Sequence, residues 1–94
     1  MSNELIEDAG YPVGELETLL EASEAQFEAN VEKHGAGKNW LDYEDEARWH
    51  VWKACDELFQ ARDHVHDGDH EGAVPHFGDA MNHMMFAMEI ARNA

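Results

Sequence analysis

The chain is short of positive charge. Six lysines and arginines stand against 21 aspartates and glutamates, for a net charge of −15 over 94 residues. Proteins that grip nucleic acid through its phosphates present a basic patch. Lys33, Lys38, Arg48, Lys53, Arg62 and Arg92 are spread too thinly to make one, which argues against direct nucleic-acid binding. An anionic membrane surface is disfavoured for the same reason. A single cysteine, Cys55, permits no intramolecular disulfide. Its apolar neighbours suggest a small buried hydrophobe. No apolar stretch approaches the roughly 18 residues of a membrane span, and no basic start precedes an apolar run. These absences together lead us to expect a cytoplasmic chain. Two prolines and seven glycines are too few for a disordered, low-complexity sequence.

What is present is helical pattern. Ninety-four residues make one small domain, and a chain of this size buries only about two thirds of its unfolded surface. A second copy to pack against would therefore help it. Residues 1–10 carry three acids and little periodicity and read as a flexible acidic arm. The remaining residues, 11–94, form a single all-α domain. Tyr11-Pro12 opens a first helix with Leu16, Leu20, Phe27 and Val31 at helical spacing, ending near His34 where Gly35-Ala36-Gly37 stops it. A connector with Trp40 and Leu41 as apolar plugs leads to Asp42, a natural N-cap. A second helix is expected from about Tyr43 to His66. Ala47, Val51, Ala54, Leu58, Ala61 and Val65 form one stripe on it, and Trp52, Cys55 and Phe59 a second. Asp67-Gly68-Asp69 makes the turn. The third helix is expected to be established by Val74-Pro75 and to run to about Asn93 as the buried central helix. Two adjoining stripes and a methionine-rich third helix predict a small bundle built on a long antiparallel hairpin, completed by homodimerisation.

The excess acid is spread over every segment. Self-repulsion of that kind opposes folding at ordinary ionic strength, and molar salt shortens its range to about 3 Å. The sequence reads as that of a halophile, the alternative being a merely acidic mesophilic protein.

Six of the seven histidines lie between His50 and His83. A tight hairpin centred near residue 69 sets Glu57 opposite Asp79 to His83 and His64 opposite His76. His76, Asp79 and His83 share one helix face, and His50, Lys53, Glu57 and His64 share another. Carboxylates and imidazoles on facing helices are how bundles hold metals, so Glu57, His64, His76, Asp79 and His83 are the candidate ligands. The other reading is a solvated acidic surface with scattered histidines. Gly35-Ala36-Gly37 has no preceding strand and no following Lys-Ser/Thr, so it is a helix stop and not a phosphate loop.

From Phe27 to Arg92 the layout resembles the MazG-like all-α nucleoside triphosphate pyrophosphohydrolases. The resemblance rests on Lys33-His34-Gly35, on Trp40 and on Asp56-Glu57-Leu58 with Ala61. It extends to Asp67-Gly68-Asp69-His70-Glu71 and, most closely, to Gly78-Asp79-Ala80-Met81-Asn82-His83-Met84-Met85-Phe86. That family holds Mg²⁺ with Glu-Glu-x-x-Glu on one helix and Glu-x-x-Asp on the next, and acts on nucleotides as dimers. Glu57 stands at the last Glu of the first motif and Asp79 at the Asp of the second, which makes them the expected catalytic carboxylates. Lys53 and Ala54 replace the two earlier acids, and His76 replaces the remaining Glu. A Glu/Asp/His set suits Mn²⁺ or Zn²⁺ better than Mg²⁺. Lys53 and Asn82 are the expected nucleotide contacts. The resemblance implies a divergent nucleotide pyrophosphohydrolase, or a nucleotide- or metal-binding protein. Lys53-Ala54 in place of two acids favours the alternative, a non-catalytic helical dimer serving as an interaction or metal-binding module.

Overall fold

The computed structural model describes residues 4–34 and 47–93. Within them lie a short helix α1 (Glu4–Asp8) and three long ones, α2 (Val13–His34), α3 (Ala47–His66) and α4 (His70–Arg92), with no strand among the described residues. The all-α expectation holds. Residues 4–8, expected as part of a flexible arm, form a turn and a half of helix. The expected Asp42 cap, the Trp40 and Leu41 plugs and the 35–37 helix stop lie outside the described residues.

The α3–α4 turn is built by local chemistry. Gly68 takes φ +77°, a left-handed conformation that closes helix C-termini and that glycine adopts without a Cβ penalty. Its N–H donates to the Val65 carbonyl at 3.0 Å, and the Asp69 N–H donates to that of His64 at 2.8 Å. Asp69 then caps α4, its Oδ1 accepting from the Gly72 N–H at 2.9 Å. This cap moves the helix start to His70, four residues before Val74, whereas the sequence led us to expect a helix established only by Val74-Pro75. Pro75 therefore lies inside α4 and leaves the Glu71 carbonyl without its in-helix donor. A cap contributes about 1 kcal/mol, and helix packing must offset the rest of a proline cost of about 3 kcal/mol.

α4 is the central element, packed against α3 on one side and α2 on the other. The buried core consists of alanines, Ala54 and Ala61 on α3 facing Ala73, Ala80 and Ala87 on α4. Within each helix they recur every seven residues, so they line one seam along the hairpin. On the other side of α4, Gly78 lies against the backbone of Ala22. Beside that contact Ser23 Oγ donates to Asn82 Oδ1 at 2.5 Å, and Asn82 Nδ2 donates to the Ser23 carbonyl at 2.9 Å. Small residues thus bring the three long helices close, and many large apolar side chains remain exposed.

Within one chain, the expected stripes are only partly covered. Of the first stripe on α3, Ala54 and Ala61 are buried while Val51, Leu58 and Val65 are exposed. The second is exposed throughout, with Trp52 at 60% and Phe59 at 57%. Cys55 is exposed too and not a buried hydrophobe. On α4, Met84, Met85 and Met88 are also exposed. The fully buried apolar side chains are thus all alanines, and His50 is the one large side chain buried completely among the described residues. No helix among the described residues is long and apolar enough to cross a membrane.

Candidate functional site

Next to the alanine seam runs a polar one with the same spacing. His50, Glu57 and His64 recur every seven residues on α3, as do Asp69, His76 and His83 from the α4 cap onward. The two rows interleave. His64 Nδ1–H donates to Asp69 Oδ2 at 2.9 Å, and His76 Nδ1–H donates to Glu57 Oε1 at 2.8 Å. Farther from the turn, His50 Nδ1 and His83 Nδ1 lie 3.0 Å apart, one donating and the other accepting. The imidazoles of His64 and His76 stack at 5.2 Å. The expected facing of His64 and His76 is thus observed. Glu57 reaches His76 directly and also shares a groove with Asp79 and His83.

That groove, about 220 Å³, lies in the crook of the three long helices. α2 contributes Phe27 and Asn30, α3 contributes Trp49, Lys53 and Glu57, and α4 contributes Asp79, Asn82, His83 and Phe86. Five of the seven sequence candidates therefore meet on one surface: Lys53, Glu57, Asp79, Asn82 and His83. His64 and His76 lie towards the turn. Lys53 Nζ sits 3.9 Å from Asp56. Asn82 lines the groove, but its amide oxygen and nitrogen are both used in the Ser23 contact, so it serves first as a tie between α2 and α4.

Burial among aromatic rings dominates at His83. Trp49 and Phe86 lie 5.9 and 6.1 Å from its ring. Desolvation lowers its pKa below the ordinary 6.5, Asp79 opposes the shift, and His50 and Lys53 add to it. The Asp79 carboxylate is 3.9 Å from His83 Nε2, too far for a hydrogen bond. His83 is thus a neutral imidazole in a groove. At the turn, Asp69 is held below its ordinary 3.8 by the Gly72 N–H first and by His64 second.

The His83 shift has a defined sign. Above about pH 6.5 neither state protonates the ring. As pH falls through that value the unfolded chain takes up a proton that the folded chain refuses, so stability is lost down to the depressed folded pKa. Acidification from pH 7.5 to 5.5 should therefore destabilise the wild type relative to His83→Gln, measured by urea melts of both proteins. Parallel stability profiles for the two would remove the buried neutral imidazole.

His50 is the functional residue least visible in the sequence. It is fully buried and pairs with His83, although the sequence places it only on a shared face. The usable signal is the seven-residue repeat from His50 to His64 matched by that from His76 to His83. Metal ligation by the whole candidate set is a different matter. Among the described residues no three His, Cys, Asp or Glu side chains converge as ligands of one ion, because His76 engages Glu57, His64 engages Asp69 and His83 engages His50. No protein family, curated protein or solved structure matches the chain.

Proposed function

We propose that the three-helix groove is the nucleotide site of a homodimeric, metal-assisted pyrophosphohydrolase. The observation that carries this reading is the meeting of Lys53, Glu57, Asp79 and neutral His83 with Phe27, Trp49 and Phe86 in one groove. With His83 left out as a ligand, the two carboxylates Glu57 and Asp79 fit a hard divalent ion such as Mg²⁺ or Mn²⁺. Mg²⁺ is commonly held by one or two carboxylates and takes its other ligands from water and substrate phosphates. When bound, such an ion polarises a phosphoryl oxygen and acidifies water. The chain's own residues supply the rest. Lys53 offers a compact positive charge to a phosphate oxygen. The His76 hydrogen bond orients Glu57, and Asp79 provides the second carboxylate. His83 Nε2 can accept a proton from an attacking water. The three aromatic rings offer faces to a nucleobase.

Size supports the dimer. Sites that enclose a drug-sized ligand run to roughly 300–1,000 Å³, and this groove is smaller, so a second copy would complete the enclosure. The exposed Trp52, Phe59 and Met88 are the apolar surface such a copy would cover. The second reading, a non-catalytic helical module for protein interaction or metal binding, is favoured by Lys53-Ala54 at two acidic motif positions.

Purified protein in molar salt, given nucleoside triphosphates with Mg²⁺ or Mn²⁺, should release pyrophosphate, and Asp79→Ala should abolish that release. Light scattering should give twice the 10.7 kDa chain mass. Nucleotide binding without turnover would establish the module instead. A monomer that neither binds nor cleaves any nucleotide would overturn both the site and the assembly.

A further inference from the structure

At the turn end of the polar seam, two imidazoles are arranged in a way the groove chemistry uses only through the hydrogen bond from His76 to Glu57. The rings of His64 and His76 stack with centroids 5.2 Å apart and planes inclined by 26°. Each has its Nδ1 on a carboxylate, Asp69 Oδ2 at 2.9 Å for His64 and Glu57 Oε1 at 2.8 Å for His76. A carboxylate can only accept, so each ring carries a proton on Nδ1, and in its neutral form it keeps the lone pair on Nε2. Among the described residues no hydrogen bond reaches either Nε2. Both side chains are open to solvent, 38% for His64 and 26% for His76.

An imidazole held by a carboxylate at one nitrogen, with a basic lone pair at the other, is the usual setting of a metal-bound histidine. We propose that the Nε2 atoms of His64 and His76 bind one transition-metal ion, with Zn²⁺ as the reference, at the turn end of the hairpin. Glu57 and Asp69 act as positioning residues and not as ligands. Imidazole pairs select Zn²⁺, Ni²⁺ or Cu²⁺ over Mg²⁺. Two nitrogens at about 2.0–2.1 Å from a tetrahedral ion lie roughly 3.3 Å apart, so binding tilts the two stacked rings towards each other at their Nε2 edges. No third protein ligand converges there among the described residues. The remaining coordination positions go to water or a small anion.

This site also separates what the sequence had pooled. His64 and His76 form one site at the turn, while Asp79 and His83 belong to the groove. Glu57 serves both readings, but Asp79 has no part in the turn site, so a change at Asp79 separates the two.

Calorimetric titration of the full chain with Zn²⁺, alongside Mg²⁺, tests the site. A single Zn²⁺ per chain should bind while Mg²⁺ does not bind at these histidines. His64→Ala and His76→Ala should each weaken Zn²⁺ by at least about 100-fold, and Asp69→Asn by about 10–100-fold. The asparagine keeps the helix cap, but its amide N–H faces His64 Nδ1 and drives the ring proton to Nε2. Asp79→Asn should leave Zn²⁺ affinity unchanged. Imidazole ¹⁵N spectra of the wild type give a second readout that needs no variant. Both rings should show the Nδ1–H tautomer, and both Nε2 signals should move on adding Zn²⁺. Nε2–H tautomers in the metal-free protein, no saturable Zn²⁺ binding, or undiminished binding in the His64→Ala/His76→Ala double variant would each overturn the proposal. Loss of Zn²⁺ in Asp79→Asn equal to that in the histidine variants would overturn it as well, by placing the ion in the groove.

Discussion

Replacing Gly78 with alanine should destabilise the fold by about 1–3 kcal/mol, the usual range for overpacking a close contact. The same change in an exposed helix interior gains up to about 1 kcal/mol, so the expected sign is reversed by the surroundings. A Cβ at Gly78 would lie 2.6 Å from the Ala22 carbonyl carbon, 2.7 Å from its oxygen and 2.8 Å from its Cβ. Two of those atoms are backbone, so no flexible side chain can swing aside and α2 must move off α4. The neighbouring Ser23–Asn82 hydrogen bonds would lengthen with it, adding to the loss. Each kcal/mol corresponds to about 4–8 °C of melting temperature for a domain of this size. Gly14, also in α2, has nothing within 4 Å of the place a Cβ would take, so Gly14→Ala should be neutral or stabilising. Thermal melts of the pair decide the point. A Gly78→Ala protein that melts at or above the wild type would remove the close α2–α4 approach and the three-sided groove that depends on it.

Salt should produce the other large effect. The chain carries fifteen excess negative charges, and α2 alone holds Glu15, Glu17, Glu21, Glu24, Glu28 and Glu32 with Lys33 as its one Lys or Arg. Two like charges about 10 Å apart repel by about 0.4 kcal/mol in water, and many such pairs exist along this surface. Between 0.1 M and 1 M salt the screening length falls from about 10 Å to about 3 Å, and apolar burial is not weakened by the change. Relief of about 2 kcal/mol would raise the melting temperature by about 8–16 °C. Circular dichroism melts in a sodium chloride series measure it. A melting temperature that is flat or falls from 0.1 M to beyond 1 M would leave the acidic composition without a salt-adapted role.

The helices are legible in the sequence because their signals are local. Val13 opens α2 just after Tyr11-Pro12, as expected, and Asp67-Gly68-Asp69 makes the turn that its residue types demand. The facing of His64 and His76 follows from the turn position and the rise per residue. The start of α4 is harder to read because Pro75 is a conspicuous helix breaker, whereas Asp69 as a cap depends on one side-chain hydrogen bond. The core misleads for a related reason. Val51, Trp52, Leu58 and Phe59 have the most to gain from burial, so a pattern reading assigns them to contacts, yet within one chain they stay exposed. The alternative, a seam of Ala54, Ala61, Ala73, Ala80 and Ala87, is visible only when small residues are counted at seven-residue spacing. At the site, Glu57 and Asp79 stand out through carboxylate placement. The Asn82 tie and the buried His50 do not, since both depend on which side of α4 faces which neighbour.

Two seams with one common repeat carry a further consequence for how the hairpin finds its register. Sliding α3 along α4 by seven residues, about 10 Å, would again set alanine against alanine and leave acids and imidazoles in one file. The seams alone therefore distinguish poorly between neighbouring alignments, much as a zipper can be closed one tooth out. The connection decides between them. With Gly68 in its left-handed conformation and Asp69 bonded to both Gly72 and His64, the turn has no slack for a slip of that length. Lengthening it with a flexible insert would remove that restraint and turn one alignment into several.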